Sequence, residues 1–107
     1  MLTVTDRTWD EQVTRAPTPV LVMFSAVWCK PCAAAVPVVE RFEAAARGKV
    51  RVLKADVEQT AGAAVDAGVC TVPTFVLYGA GGQIVGRHVG VDARLVDTLR
   101  GMVGVMG

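Results

Sequence analysis

The chain has 107 residues, a net charge of +1 and a hydrophobic fraction of 52%, which suit a single domain with its own core. Lys and Arg are scattered rather than clustered, which argues against nucleic acid or an anionic membrane surface as partners. The longest nearly apolar run, residues 19–29, is too short to cross a bilayer. Asp6, Asp10 and Glu11 precede that run and make it a poor signal peptide. We therefore expect one domain over residues 1–107, in a soluble, cytoplasmic and monomeric protein.

Strands and helices are predicted to alternate along the chain. Short apolar runs bounded by breakers predict buried strands, and alanine- and glutamate-rich stretches predict helices. Thr5 or Asp6 is expected to cap the first helix, and Asp92 the last. The predicted elements in order are a strand at 2–4, a helix carrying Trp9 and Val13, strand 20–25, helix 33–47 with Pro37 inside it, strand 50–57, a short helix from Glu58 or Thr60 to Gly68, strand 75–78, strand 83–89 and a last helix carrying Leu95, Val96, Leu99, Met102 and Val103.

This order, β-α-β-α-β-α-β-β-α, predicts an α/β fold with a central mixed five-stranded sheet flanked by four helices. Strands joined through helices are expected to be parallel neighbours with right-handed crossovers. The Gly-Ala-Gly-Gly segment at 79–82 predicts a hairpin, so the last two strands should be antiparallel.

Two cysteines, Cys29 and Cys32, lie where the buried strand gives way to the long helix. At the helix start, unpaired backbone amides and the helix dipole favour a negative charge, and the thiolate is the reactive form of cysteine. Cys32 is three residues further on, on the same side and within disulfide reach, while Pro31 is tolerated in the first turn. The pair therefore predicts thiol–disulfide exchange, in which Cys29 attacks a disulfide of another protein and Cys32 resolves the mixed disulfide.

The sequence leaves several alternatives open. Three cysteines is an odd count, which argues against a structural disulfide framework, and a reducing compartment disfavours permanent bridges. A zinc site would need further ligands, and only Cys70 and His88 are available, without a second cysteine pair. Cys70 is either a small apolar loop residue or a regulatory thiol, and His88 is either a polar strand residue or a ligand or base. A non-catalytic binding module, or a holdase that uses the apolar surface around Pro73, is the alternative to an enzyme.

The sequence resembles the thioredoxin family over about residues 2–104. Its marks are the strand at 20–26 leading into Trp28-Cys29-Lys30-Pro31-Cys32, then Pro37, Val72-Pro73-Thr74 and Gly90. The cysteine motif followed some forty residues later by Val-Pro-Thr is highly specific. The resemblance implies the thioredoxin fold and protein-disulfide reductase activity in electron transport and cell redox homeostasis.

The resemblance also implies the partners and the binding residues. It implies a cis peptide bond before Pro73, and backbone hydrogen bonds from Val72 to a client peptide. Disulfide-containing proteins would be the clients, and a flavoprotein thioredoxin reductase drawing on NADPH would recharge the pair. No bound cofactor is implied beyond the redox-active disulfide. The implied client-contacting residues are Trp28, Val72, Pro73, Gly90 and Val91.

Three positions depart from the family pattern. Lys30 stands where glycine is common, Met23 where a buried aspartate is common, and Ala33 where a basic residue is common. A lysine beside Cys29 and the loss of a nearby carboxylate both favour the thiolate. We therefore expect a weaker reductant, and a better oxidant, than a relative with glycine and aspartate at these positions.

Met23 has two further expected consequences. Without the carboxylate, deprotonation of Cys32 must rely on water, on Lys54 or on the departing thiolate, so mixed disulfides should resolve more slowly. Lys54 aligns with a lysine that pairs with the missing aspartate in relatives. The fold should be more stable, because a buried unpaired acid costs several kcal/mol that a methionine does not.

Overall fold

Residues 1–104 are described by the structure, a computed structural model; the last three residues of the expected domain, 105–107, lie outside the described residues. One five-stranded sheet has the strand order β1-β3-β2-β4-β5. The strands are β1 Leu2–Val4, β2 Val20–Ser25, β3 Arg51–Asp56, β4 Thr74–Tyr78 and β5 Ile84–Val89, and the α-helices are α1 Lys30–Ala46, α2 Ala61–Asp66 and α3 Leu95–Gly104. A short π-helical turn, Asp10–Thr14, lies between β1 and β2. No helix within residues 1–104 is long and apolar enough to cross a membrane.

The sheet is mixed, which confirms the predicted α/β architecture. β3 runs parallel to both β1 and β2, whereas β4 runs antiparallel to both β2 and β5. The expectation that helix-connected strands are parallel is therefore wrong for β4. Thr74 at the start of β4 lies opposite Phe24, and Phe24 lies opposite Ala55 near the end of β3, so α2 does not carry the chain back to the other end of the sheet. The chain thus re-enters the sheet at the end where β3 leaves it.

Strand β2 forms the centre of the core, and all six of its residues are buried. Its near-continuous apolar run is typical of a central strand covered on both faces. Leu21 and Met23 face the cluster formed with α1 and α3, and Val20, Val22 and Phe24 face a second cluster. Trp9 and Val13 pack in the second cluster, as their spacing predicts.

The predicted cap of the first helix is wrong. The element is a five-residue π-helical turn with Trp9 at its N-cap, and no side chain caps it. Thr5 instead donates its backbone N–H to the Oγ1 of Thr8, at 3.0 Å. Asp6, the other candidate, donates its backbone N–H to the carbonyl of Gln59, at 3.0 Å.

Asp92 is predicted to cap the last helix, but it lies three residues before the first residue of α3. Its carboxylate accepts the backbone N–H of Arg94 at 2.8 Å, and α3 begins at Leu95. Asp92 therefore stabilises the turn that leads into α3 rather than the first turn of the helix itself. Leu95 and Leu99 are buried as predicted.

Helix α1 is longer than its composition alone indicates. It begins at Lys30, three residues before the predicted Ala33, and contains Pro37. It ends at the predicted stop, where Arg47 adopts a left-handed conformation with φ 52° and Gly48 follows with φ 80°. The earlier start places the cysteine pair directly on the helix N-terminus.

Candidate active site

The N-terminus of α1 holds the two cysteines. Cys29 is the N-cap residue in an extended conformation, and its Sγ accepts the backbone N–H of Cys32 at 3.2 Å. The Cys29 N–H donates to the carbonyl of Ala26 at 3.1 Å, which closes the turn after β2. Cys29 and Cys32 form a disulfide with a Cα–Cα distance of 5.3 Å. An amide donor directed at Cys29 Sγ favours a negative charge on that sulfur when the pair is reduced.

The two sulfurs are largely shielded, in contrast to their neighbours. Cys29 is 6% exposed and Cys32 is 3% exposed, whereas Trp28 is 68% exposed. Lys30 and Pro31 are also exposed. Cys29 and Cys32 are therefore shielded, and the exposed surface around them is formed by Trp28, Lys30 and Pro31.

The loop that precedes β4 lies against the disulfide. The Val72–Pro73 peptide bond is cis, as the resemblance implies, and the Val72 carbonyl oxygen lies 3.8 Å from Cys29 Sγ. The Pro73 carbonyl accepts the backbone N–H of Gly90 at 2.9 Å. Gly90 has φ +91°, a conformation that favours glycine. The loop is thus held in place from β5.

An apolar groove of 260 Å³ opens beside the disulfide, and we call it the client groove; it is lined by Trp28, Val57, Ala64, Val69, Cys70, Thr71 and Val72. Among residues 1–104, no charged side chain lines it. Sequence reasoning identified Trp28 and Val72 but missed Val57, Ala64 and Val69. A signal for Val57 was present, because it directly follows β3, and the carboxyl ends of the parallel strands β2 and β3 meet at one edge of the sheet. The Val57 N–H donates to the carbonyl of Ser25 at 2.9 Å, which joins those two ends.

Met23 lies in the same buried cluster as both cysteines and is 0% exposed. In the sheet it stands opposite Lys54 of β3 and Phe75 of β4. Lys54 is partly buried, and within residues 1–104 no salt bridge involves it. The structure therefore places Met23 and Lys54 opposite each other in neighbouring strands.

The remaining candidate residues divide between the active site and the rest of the sheet. Cys70 is a free, exposed cysteine on the client groove, with its Sγ 3.6 Å from the carbonyl oxygen of Gly68. Val91, next to Gly90, is 40% exposed. His88 lies on β5 beside Phe75, with 6.3 Å between ring centroids, and its buried Nε2 has no hydrogen-bond partner within residues 1–104. In that described part of the chain, no three His, Cys, Asp or Glu side chains are grouped so that they could hold a metal ion.

Known proteins are similar to this sequence over most of its length. The sequence model described as Thioredoxin matches residues 1–101, a range that includes both cysteines and Pro73. The chain is 35% identical over 94 residues to thioredoxin C-2 of Corynebacterium nephridii, which covers 88% of this chain and 86% of the relative. It is 34% identical over 105 residues to a thioredoxin of Alicyclobacillus acidocaldarius subsp. acidocaldarius, covering 92% and 98%. It is 37% identical over 87 residues to thioredoxin 1 of a Nostoc strain, covering 81% and 80%.

Proposed function

Because the chain belongs to the thioredoxin family and is a protein thiol–disulfide oxidoreductase, we propose that Cys29 is its nucleophile and that Cys32 resolves the mixed disulfide. The observation that carries this assignment is the 3.2 Å hydrogen bond from the Cys32 N–H to Cys29 Sγ at the start of α1. That amide and the helix dipole favour negative charge on Cys29 once the disulfide is reduced. Cys32 has no comparable donor at its sulfur among the hydrogen bonds of residues 1–104.

The proposed reaction transfers two electrons to the client. The Cys29 thiolate attacks one sulfur of the client disulfide, forming a Cys29–client bond and releasing the other client sulfur as a thiolate. Cys32 then loses its proton and attacks Cys29 Sγ, which releases the second client thiolate and forms the Cys29–Cys32 disulfide. The client disulfide is reduced and the cysteine pair is oxidised, so the sum balances without a further reactant.

The client segment is proposed to bind across Cys29 between Trp28 and the Pro73 loop. Val72 supplies main-chain hydrogen-bonding groups to an extended segment, as in strand addition, and its carbonyl lies 3.8 Å from Cys29 Sγ. Gly90 holds that loop, and Val91 adds exposed apolar surface next to it. The uncharged client groove receives an apolar client side chain.

Lys30 and Met23 are proposed to make the protein a weaker reductant than a relative with glycine and aspartate there. Both stabilise the thiolate of the reduced form relative to the disulfide. Equilibration with glutathione tests the proposal, with the Lys30→Gly variant of the same chain as the matched comparison. The wild-type pair should have the less negative reduction potential. An equal or more negative wild-type potential would defeat the proposal.

Deprotonation of Cys32 is proposed to proceed without a carboxylate at the position of Met23. Met23 is fully buried beside both cysteines, so it supplies no proton acceptor. Lys54, water or the departing client thiolate must take the proton. Slow release of the mixed disulfide is the expected consequence.

The setting of the reaction is proposed from the family. A flavoprotein thioredoxin reductase that draws on NADPH regenerates the dithiol, and the site needs no bound cofactor of its own. The protein acts in the cytoplasm as a monomer of one domain, residues 1–107. Lys and Arg do not cluster along the sequence, which supports a role without nucleic acid or membrane partners.

Insulin reduction tests the assignment of the two cysteines. Wild-type protein should reduce insulin disulfides in the presence of a dithiol reductant, and Cys29→Ser should abolish this catalysis. Cys32→Ser should instead accumulate a mixed disulfide with the client, because the nucleophile is present and the resolving thiol is absent. If client binding survives in a variant that lacks both cysteines while wild-type protein shows no catalysis, the binding-module alternative is correct.

A further inference from the structure

We propose that Lys30 is a specificity-determining residue, which makes this protein prefer client disulfides whose attacked cysteine has an acidic neighbour. The inference rests on the proposed function, since it concerns the segment that binds across Cys29. Lys30 is the first residue of α1, is bonded directly to Cys29 and is exposed. Within residues 1–104, no salt bridge occupies its ammonium group.

Lys30 is the only charged residue in the two chain segments that form the cysteine motif and the Pro73 loop. It is the only charged residue between Arg15 and Glu40, and no charged residue occurs between Asp66 and Arg87. These two segments supply the cysteines, the Pro73 loop and most of the client groove. A client residue close to Cys29 therefore meets Lys30 as the only charge that these two segments supply.

Carboxylates of this chain limit where an acidic client residue can bind. Asp56 and Glu58 flank Val57 of the client groove, so a client carboxylate is repelled there. The carboxylate of Asp92, which follows Val91, already accepts the Arg94 N–H at 2.8 Å. Lys30 stands on the α1 side of Cys29 and does not line the groove. The matching client segment thus carries an apolar residue for the groove and a carboxylate beside the cysteine.

The expected preference is modest because Lys30 is exposed. Exposed ion pairs of this kind change an equilibrium or rate by about 1.4-fold to fivefold. The preference should shrink at high salt, because the Debye length falls from about 10 Å at 0.1 M to about 3 Å at 1 M. A preference independent of salt would not arise from Lys30.

Six peptide disulfides, three compositions each in two sequence orders, test the proposal. Each short peptide has a leucine on one side of its cysteine and Glu, Gln or Lys on the other side, and is otherwise identical. Each composition is prepared with the leucine before the cysteine and with the leucine after it. The measured quantity is the ratio of kcat/KM for the Glu and Gln peptides, with wild type, Lys30→Gln, Lys30→Arg and Lys30→Glu. A ratio is used because Lys30 also acts on the Cys29 thiolate, and that effect cancels between two substrates of one variant.

Wild type and Lys30→Arg should favour the Glu over the Gln peptide by about 1.4-fold to fivefold, and Lys30→Gln should show no preference between them. Lys30→Glu should favour the Gln over the Glu peptide, and the Lys peptide over both. Lys49→Gln is the control, since Lys49 is an exposed lysine beyond the opposite end of α1. An unchanged ratio in Lys30→Gln, or an equal change in Lys49→Gln, would overturn the inference. If either of these results is found and the Gln peptide is still reduced, the proposed function remains valid and only the role of Lys30 is wrong. Failure of wild type to reduce any peptide would contradict both the inference and the proposed function.

Discussion

Replacing Met23 with aspartate puts a carboxyl group into the most completely buried part of the active site. Met23 is 0% exposed and lies between Lys54 and Phe75 in neighbouring strands. The substitution removes the packing of a buried methionine and buries a polar group in its place. With Lys54 as a partial partner, we expect the free energy of unfolding to fall by about 3–5 kcal/mol, the usual cost of a poorly compensated buried charge.

The loss of stability in Met23→Asp should depend on pH with a definite sign. Burial disfavours the charged form, so the folded-state pKa of the new carboxyl is raised above its unfolded value of about 3.9. The folded state then binds the proton more tightly than the unfolded state. Stability should therefore be greatest below the unfolded pKa and should decline as pH rises through the folded pKa. Urea unfolding at a series of pH values measures this decline.

The same substitution should accelerate resolution of the mixed disulfide, because the carboxylate can accept the Cys32 proton. A positioned base contributes at least about a hundredfold in favourable cases, and a tenfold increase is sufficient to identify the effect. Single-turnover release of a client thiol measures it. Met23→Asn is the matched control, since it has the same size and polarity but cannot take the proton. Equal release rates for the Asp and Asn variants would refute the reasoning, as would a Met23→Asp variant as stable as wild type.

Three further predictions follow from single contacts. Cys70→Ser should retain insulin reduction within about twofold, because an exposed substitution costs little; a larger loss would show that this thiol participates in turnover. Burial raises the pKa of Tyr78 to about 12, so the folded state holds the phenol proton more tightly, and the free energy of unfolding should decline as pH rises above the ordinary tyrosine pKa of about 10. The single tyrosine gives a clean absorbance titration, and ionisation at an ordinary pKa would contradict this. Gly90→Ala should lower the free energy of unfolding by about 1–2 kcal/mol, because φ is +91°, a backbone conformation that residues with a side chain disfavour. The cost does not come from a clash, since no atom lies within 4 Å of the added Cβ. An unchanged stability in denaturant unfolding would show that the turn bonded to the Pro73 carbonyl tolerates a side chain.

The sequence was most informative where one local rule acted alone. Strand β2 has the predicted bounds, because a buried apolar run between two breakers admits few alternatives. The Arg47-Gly48 stop of α1 was likewise set by local backbone chemistry. Composition predicts that α1 begins at Ala33, three residues after its actual start at Lys30. The cysteine motif, by contrast, correctly predicts Cys29 at the start of the helix.

Features that depend on tertiary distance were harder to predict. The direction of β4 depends on the end of the sheet at which the chain re-enters after α2, which no pattern of apolar residues encodes. The client groove combines residues from the end of β3, from α2 and from the Pro73 loop. Ala64 and Val69 have no local signature of a binding residue, and only the packing of α2 against the sheet brings them to the groove.

The titration of Cys29 tests the central claim most directly. Thiolate absorbance of the reduced Cys32→Ser, Cys70→Ser protein reports this one sulfur as a function of pH. The helix N-terminus and Lys30 predict a pKa clearly below the ordinary value of about 8.5, with the anion predominant at neutral pH and fast alkylation by iodoacetamide. A sulfur that titrates at or above the ordinary value, and that reacts no faster than the exposed Cys70 of a separate Cys29→Ser, Cys32→Ser protein, would contradict the account.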